Sequence, residues 1–99
     1  MFTGLVDHIG VVTSVEPTLS GLRLTVTTQF QKLVLGESIA MNGICLSLVR
    51  ALQNTFTVEV SPETRNRTQI GQWCIGTKIN CERAMALGDR MGGHFVTGH

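Results

Sequence analysis

The segment at the end of the sequence combines two histidines with residue types that often surround polar chemistry. It reads Gly92-Gly93-His94-Phe95-Val96-Thr97-Gly98-His99. Paired glycines let a ligand or another backbone come close, so His94 is a candidate site residue. Taken alone, His94 is as readily a hydrogen-bonded structural residue, and the preceding Gly92-Gly93 pair favours the site role. Because this motif is so dense, we expect the sequence to be part of a longer protein.

A shared metal site at the two histidines is not expected. His94 and His99 are separated by an odd number of positions, so they face opposite sides of a regular strand. No Cys, Asp or Glu stands beside them at the spacing of a zinc ligand. The sequence therefore predicts chemistry without a bound metal.

A thiol and a hydroxyl follow a predicted turn in the middle of the chain, in the run Asn42-Gly43-Ile44-Cys45-Leu46-Ser47. The Asn-Gly pair favours a tight hairpin turn. Cys45 and Ser47 share one face of the following strand and Leu46 lies on the other, so they line a surface or a pocket mouth if Leu46 is buried. Neither residue belongs to a Ser-His-Asp or Cys-His pattern, and spacing alone does not predict nucleophilic catalysis.

A carboxylate and two hydroxyls stand together in Ser61-Pro62-Glu63-Thr64. Ser61 as N-cap and Pro62 at the first helical position predict one helical turn over residues 62–67, with Glu63 compensating the helix dipole. A second helical turn is predicted over residues 82–87. Glu82 and Arg83 are interpreted there as a solvated pair.

Composition indicates one globular domain. The chain has 99 residues, 42% of them hydrophobic, and a formal net charge of +1, which favours neither nucleic acid nor a membrane surface as partner. An odd number of cysteines without a Cys-x-x-Cys pair predicts reduced thiols, with Cys74 and Cys81 as small core residues. Trp73 is interpreted as a packing residue. No apolar run reaches the length of a membrane span, and we expect a cytoplasmic protein.

Short strands dominate the predicted secondary structure. Leu22, Leu24 and Val26 alternate with polar residues, as in a half-buried strand. The segments with strand character are residues 5–15, 22–27, 38–41, 45–52, 56–60, 77–82 and 95–98. About six strands with turns between them and no βαβ rhythm predict an all-β fold, as a small antiparallel barrel in preference to a two-sheet sandwich.

Taken together, the motifs resemble those of riboflavin synthases, from the first residue to the last and in the same order. They are Met1-Phe2-Thr3-Gly4-Leu5-Val6, Asn42-Gly43-x-Cys45-Leu46-Ser47, Glu63-Thr64 followed by Thr68, Asn80-x-Glu82-Arg83-Ala84, and Gly88-Asp89-Arg90-Met91-Gly92-Gly93-His94-Phe95-Val96-Thr97-Gly98-His99. Members of that family are tandem duplications of a six-stranded antiparallel Greek-key β-barrel. The resemblance implies that residues 1–99 form a single N-terminal barrel with one or two short helical turns.

The resemblance also implies an activity. Riboflavin synthases dismutate two molecules of 6,7-dimethyl-8-ribityllumazine to riboflavin and a 5-amino-6-ribitylaminopyrimidinedione, with no cofactor and no metal. The substrate supplies an acidic methyl group at C7. The protein must align two like molecules, stabilise the resulting anion and move a proton.

Site residues follow from the same resemblance. It implies a ligand-binding set of Gly4, Leu5, Val6, Cys45, Leu46, Ser47, Glu59, Val60, Ser61, Pro62, Glu63, Thr64, Gly98 and His99. It implies catalytic roles for His94, Cys45, Ser47 and His99. Ser47 stands where many relatives carry threonine, a mild departure because both offer a hydroxyl. Glu59 and Thr64 would hold the ribityl chain, and the backbone of residues 59–64 would contact the pyrimidine edge.

Partners follow as well. The resemblance implies binding of 6,7-dimethyl-8-ribityllumazine and riboflavin, a homotrimer for the full-length enzyme, and a homodimer with weak or no turnover for the isolated barrel. Nucleic acid and membranes are not expected as partners. Two alternatives belong to other classes: a non-catalytic, antenna-type lumazine- or flavin-binding protein, and an unrelated small barrel that acts as a protein-interaction module.

Overall fold

The structure, a computed structural model, describes residues 4–84 and, as backbone only, residues 90–91 and 94–95. Six antiparallel strands close into a barrel in the order β1-β2-β5-β4-β3-β6. The strands are β1 (His8–Thr18), β2 (Gly21–Thr27), β3 (Ser38–Met41), β4 (Ile44–Leu52), β5 (Thr55–Val60) and β6 (Lys78–Arg83). Strands β3, β4 and β5 are consecutive hairpins and β6 returns beside β3, which is a Greek key. The predicted all-β antiparallel Greek-key barrel is confirmed.

Among the described residues, helical structure lies in the connection between β5 and β6. Helix α1 (Pro62–Arg67) begins as predicted, because the Ser61 hydroxyl accepts the Thr64 N–H at 3.1 Å. A 3-10 turn follows over Gln69–Gln72. No helix in the part of the chain that the structure describes is long and apolar enough to cross a membrane.

The alternating strands build the core. Leu22, Leu24 and Val26 of β2 point inward and are buried, and the same holds for alternate residues of β5. Phe56 is fully buried among them, and Trp73 covers the core from the β5–β6 connection, as interpreted from the sequence. Burial of these side chains is the main stabilising contribution in a barrel of this size.

The β3–β4 hairpin follows its sequence signal closely. Met41 pairs with Ile44, and the two residues between them, Asn42 and Gly43, have φ values of 51° and 84°. Two positive φ values in a two-residue loop define a type I′ turn, which matches the twist of the flanking strands. The turn therefore fixes the register of Cys45 and Ser47.

Three sequence-based expectations are wrong in detail. Strand β1 covers His8–Thr18 and not residues 5–15, and it includes Pro17. Beyond Val11 this strand pairs with β2 alone. A proline, which has no N–H, is tolerated there because one side of the strand makes no ladder. Glu82 and Arg83 belong to strand β6, so the helical turn over residues 82–87 does not begin there, and residues 85–87 lie outside the described residues. Cys74 is exposed, whereas Cys81 is buried as expected.

Near the C-terminus the described backbone contains a short two-stranded ladder. Strand β7 (Arg90–Met91) pairs with β8 (His94–Phe95). The predicted strand at residues 95–98 overlaps β8 only at Phe95, and residues 96–98 lie outside the described residues.

One end of the barrel is closed by the loop between β2 and β3, which Arg83 holds. The Arg83 guanidinium donates from Nε to Glu37 Oε1 at 2.7 Å and from Nη2 to Oε2 at 3.0 Å. It also donates to the carbonyl oxygens of Gln31 at 2.7 Å and Lys32 at 2.8 Å. Because one planar guanidinium donates all of these hydrogen bonds, Arg83 is the main link between β6 and the loop.

His8 holds the start of the same loop. Its Nε2 accepts the Gln29 N–H at 3.2 Å and lies 3.0 Å from the Thr28 hydroxyl, and its ring meets Phe30 edge-on at 4.4 Å. Because Nε2 accepts a hydrogen bond, the ring is neutral with its proton on Nδ1. Partial burial lowers the pKa of His8, against an opposing effect of Asp7.

We expect this histidine to make the barrel less stable in mild acid. A lowered folded-state pKa means that the unfolded chain takes up the proton first, so the contribution of His8 is fully present above about pH 6.5 and is lost as the pH falls toward the folded-state pKa. The melting temperature between about pH 5 and pH 7.5 measures this loss. His8→Gln keeps an acceptor and removes the titration, so its melting temperature should depend less on pH.

The other two histidines provide the control for that measurement. A double variant with Gln at His94 and His99 retains His8 and should keep the pH dependence of the wild type. Equal pH dependence in the wild type and His8→Gln would contradict the role assigned to His8.

Candidate functional site

A row of residues crosses three strands on the outer wall of the barrel. Glu82 of β6 pairs with Ala40 of β3, and Ala40 pairs with Cys45 of β4. Directly paired residues point to the same face, and their neighbours Cys81 and Leu46 are buried in the core, so this row faces outward. With strands spaced about 4.8 Å apart, Glu82 and Cys45 are roughly 10 Å from each other.

The segment before β1 lies against this row. The Gly4 N–H donates to both carboxylate oxygens of Glu82, at 3.0 and 3.2 Å. The side chains of Leu5 and Val6 are 67% and 52% exposed. The segment thus presents two apolar side chains beside a wall that carries the Cys45 thiol.

The barrel wall opens between β4 and β5 at the same level. Their ladder ends at the pair Leu48–Val58, after an irregularity next to Leu48, and does not continue to Ser47 and Glu59. Met41 and Ile44 form a hydrogen-bonded pair in the hairpin, so the next pair, Ala40 and Cys45, is of the non-hydrogen-bonded kind. The N–H and C=O groups of Cys45 therefore point away from β3 and toward this opening. A planar ligand edge placed there would meet main-chain donors and acceptors.

The far side of the opening is the end of β5 and the start of α1. The Ser61 hydroxyl is committed to the helix N-terminus, where it also donates to the Thr64 hydroxyl at 3.1 Å. The Glu59 carboxylate is exposed and accepts a hydrogen bond from Arg23 Nη2 at 2.8 Å. This ion pair raises the pKa of Arg23, first through the hydrogen bond and then through the charge of Glu59. Polar groups are therefore available on both sides of the opening.

The structure locates most of the predicted site residues. Two groups lie on the outer wall: the segment Gly4, Leu5 and Val6, and the start of β4 with exposed Cys45 and Ser47 on either side of buried Leu46. The third group borders the β4–β5 opening and consists of Glu59, Val60, Ser61, Pro62, Glu63 and Thr64. His94 is described only as a position of β8, and Gly98 and His99 lie outside the described residues.

Sequence reasoning missed one residue of this region. Glu82 is only 8% exposed and holds Gly4, so the interpretation of Glu82 and Arg83 as a solvated pair is wrong. Its alternation with the apolar residues Ile79 and Cys81 was the available signal, because it places Glu82 on the outer face of a strand. Nothing in the sequence indicates that a glycine amide far along the chain would meet it.

A cavity of about 340 Å³ lies at a different place, between the β2–β3 loop and the β4–β5 turn. It is lined by Phe30, Gln31, Lys32, Leu33, Leu52, Gln53 and Asn54. None of these belongs to the wall described above. In the part of the chain that the structure describes, the candidate site belongs to the outer surface of the barrel, where Cys45 and Ser47 are exposed.

The chain is similar to proteins of known classification along its whole length. The family model "Lumazine binding domain" matches residues 3–84. The riboflavin synthase of Bacillus subtilis is 43% identical over 101 residues, which cover 100% of this chain and 47% of that protein. The riboflavin synthase of Mycobacterium bovis is 44% identical over 102 residues (100% and 51%), and that of Schizosaccharomyces pombe is 41% identical over 102 residues (100% and 49%).

The chain therefore spans about half the length of the curated relatives it matches. The family model covers all six strands of the barrel and the segment at Gly4 before them. The resemblance inferred from the motifs is confirmed. This chain belongs to the lumazine binding domain family.

Proposed function

We propose that this chain is the N-terminal lumazine-binding barrel of a riboflavin synthase. The observation that carries the proposal is the outer wall, where the Gly4–Val6 segment, the Cys45 strand and the β4–β5 opening meet beside one another. The names of the relatives and the family match support the same assignment.

The ligands proposed for this wall are 6,7-dimethyl-8-ribityllumazine and riboflavin. The flat heterocycle would lie between the Gly4–Val6 segment and the Cys45–Ser47 strand, where exposed apolar side chains and a glycine permit close contact. Main-chain groups at the opening would hydrogen-bond the pyrimidine edge. Thr64, together with the Glu59–Arg23 pair, offers hydrogen-bond partners for the ribityl hydroxyls.

The reaction proposed for the full-length enzyme needs two such walls. One molecule gives up a four-carbon unit to another, so two heterocycles must face each other while the anion formed at the C7 methyl group is stabilised. In the proposal, the Cys45 and Ser47 side chains supply polar groups beside the ring, and His94 and His99 move the proton. A single open wall binds one molecule, and we expect weak or no turnover from the isolated chain.

Self-association is part of the same proposal. Leu5, Val6 and Ile9 expose large apolar side chains around the wall, with Ile9 57% exposed. Clustered apolar surface of this kind is often buried against another protein surface. We propose a homodimer for the isolated barrel and a homotrimer for the full-length enzyme, each of which would bring a second surface toward the ligand.

Riboflavin titration tests the assignment. We expect saturable quenching of riboflavin fluorescence by the wild type, and Ser47→Ala should weaken binding about three- to tenfold because it removes one hydroxyl from the proposed contact. Ser20→Ala removes an exposed hydroxyl from the β1–β2 turn and serves as the matched control, with unchanged affinity.

The outcomes separate the candidate functions. Absence of binding by the folded wild type would overturn the proposal and favour a protein-interaction module. Binding by a full-length protein that lacks turnover altogether would favour the antenna-type alternative. Equal affinity in the wild type and Ser47→Ala would contradict the placement of Ser47.

A further inference from the structure

Glu82 occupies an unusual place for a carboxylate. It lies on the outer face of β6, where side chains normally reach water, yet it is 8% exposed. Both of its oxygens accept the Gly4 N–H, across 78 positions of sequence. Hydrogen bonds to an ionised acceptor are stronger than neutral ones, so this contact is a substantial constraint on a segment that belongs to no strand.

The segment between Gly4 and Asp7 is anchored at both ends. At one end is the Glu82 contact. At the other, the Asp7 N–H donates to the Cys81 carbonyl at 2.9 Å, and the Asp7 Oδ2 accepts the Arg83 N–H at 2.9 Å. Between these anchors Leu5 and Val6 are largely exposed, and a Cβ added at Gly4 would meet no atom within 4 Å, so side-chain packing contributes little to the position of the segment.

We propose that Glu82 is a positioning residue that holds the Gly4–Val6 segment against the outer wall in the geometry needed to bind a flat heterocycle. The inference rests on the proposed function and adds a residue to it. Ala40 separates Glu82 from Cys45 in the row, so the carboxylate acts on the ligand through the segment it holds. Loss of the anchor leaves the segment in its binding position for only part of the time, and apparent affinity falls by that fraction.

Two variants of Glu82 test the role. Glu82→Ala removes both acceptors, and Glu82→Gln keeps one neutral acceptor and is the milder change. In the ligand-free protein we expect amide hydrogen exchange at Leu5 and Val6, followed by NMR, to speed up in the order wild type, Gln, Ala, while amides of β2 keep their rates. Riboflavin affinity should fall in the same order, by about tenfold in the alanine variant.

Glu37→Gln is the matched control. Glu37 is also a partly buried carboxylate, with its side chain 17% exposed, and its carboxylate binds Arg83 and the Val34 N–H, neither of which belongs to the Gly4–Val6 segment. We expect this variant to melt at a lower temperature and to keep the riboflavin affinity of the wild type. This control therefore separates a general loss of stability, which should leave riboflavin affinity unchanged, from the loss of affinity expected for the Glu82 variants.

The two readouts distinguish the positioning role from the proposed function. Faster exchange at Leu5 and Val6 in a protein whose wild type fails to bind riboflavin would refute the proposed function and leave the anchor in place. A wild type that binds, with Glu82→Ala of equal affinity or with unchanged exchange in the segment, would overturn the positioning role. If Glu82→Ala does not fold, the comparison of wild type with Glu82→Gln decides.

Discussion

Gly21→Ala should lower the free energy of unfolding by about 3 kcal/mol or more, because two costs combine at this position. Gly21 has a φ of 141°, which L-residues with side chains rarely adopt. An added Cβ would also overlap the Val60 carbonyl oxygen, which is backbone and cannot rotate away. Thermal unfolding should show the effect as a fall in melting temperature of roughly 15 °C.

The same substitution should disturb the proposed site, since Gly21 packs against the Val60–Ser61 junction. Gly43→Ala separates the two costs. Gly43 also has a positive φ, 84°, but an added Cβ there has open space, so only the conformational cost of about 1 kcal/mol is expected. Similar losses of stability in the two variants would contradict the close approach of β2 to Val60.

Arg83→Met should lower the free energy of unfolding by about 2–3 kcal/mol. The methionine keeps most of the aliphatic bulk and removes the guanidinium. The carbonyl oxygens of Gln31 and Lys32 then lose this donor, and the Glu37 carboxylate loses its ion pair and keeps the Val34 N–H. Denaturant unfolding measures the loss. Trypsin should also cleave faster after Lys32, because the loop between β2 and β3 opens more readily when the Arg83 contacts are gone.

Arg23→Met is the control for charge removal on the barrel surface. Arg23 pairs with Glu59 at 2.8 Å and Glu16 at 3.4 Å, but its side chain is 39% exposed. Exposed ion pairs contribute little, and we expect a clearly smaller loss of stability than in Arg83→Met. If Arg83→Met is no more destabilising than Arg23→Met, the closure of the barrel end by Arg83 is wrong.

The parts of the fold that follow local rules could be predicted from the sequence. Leu22, Leu24 and Val26 identify β2 by alternation, and Asn42-Gly43 identifies the β3–β4 turn by its backbone preference. The same register places Cys45 and Ser47 outward and Leu46 inward, as expected. Local patterns were sufficient because each side chain needs only its own strand to choose a face.

The remaining features depend on contacts between distant parts of the chain. Glu82 and Arg83 look like a solvated pair in sequence, and only barrel closure brings one to Gly4 and the other to Glu37. Cys74 was expected in the core, but the turn that follows the 3-10 helix leaves it exposed, beside the Thr77 hydroxyl at 3.6 Å. Periodicity carries no information about such long-range pairings.

The open character of the wall is likewise a tertiary property. The sequence indicates strands at residues 45–52 and 56–60, but it does not indicate that their ladder stops at Leu48–Val58 and exposes main-chain groups beyond it. The kind of ligand proposed for this opening therefore comes from the family resemblance. Its position on the barrel comes from the register of β4 and β5.

Binding of a lumazine or flavin across the Cys45 wall can be measured within one molecule, because one exposed cysteine lies in the wall and another lies outside it. Cys45 lies in the proposed site, Cys74 is exposed in the segment before β6, and Cys81 is buried, with its thiol pKa raised by burial. Alkylation by iodoacetamide, followed by peptide mass spectrometry, gives the rate at Cys45 and Cys74 separately. With riboflavin at about ten times its dissociation constant, alkylation of Cys45 should be roughly tenfold slower and the rate at Cys74 unchanged. Equal Cys45 rates with and without riboflavin would contradict binding at this wall.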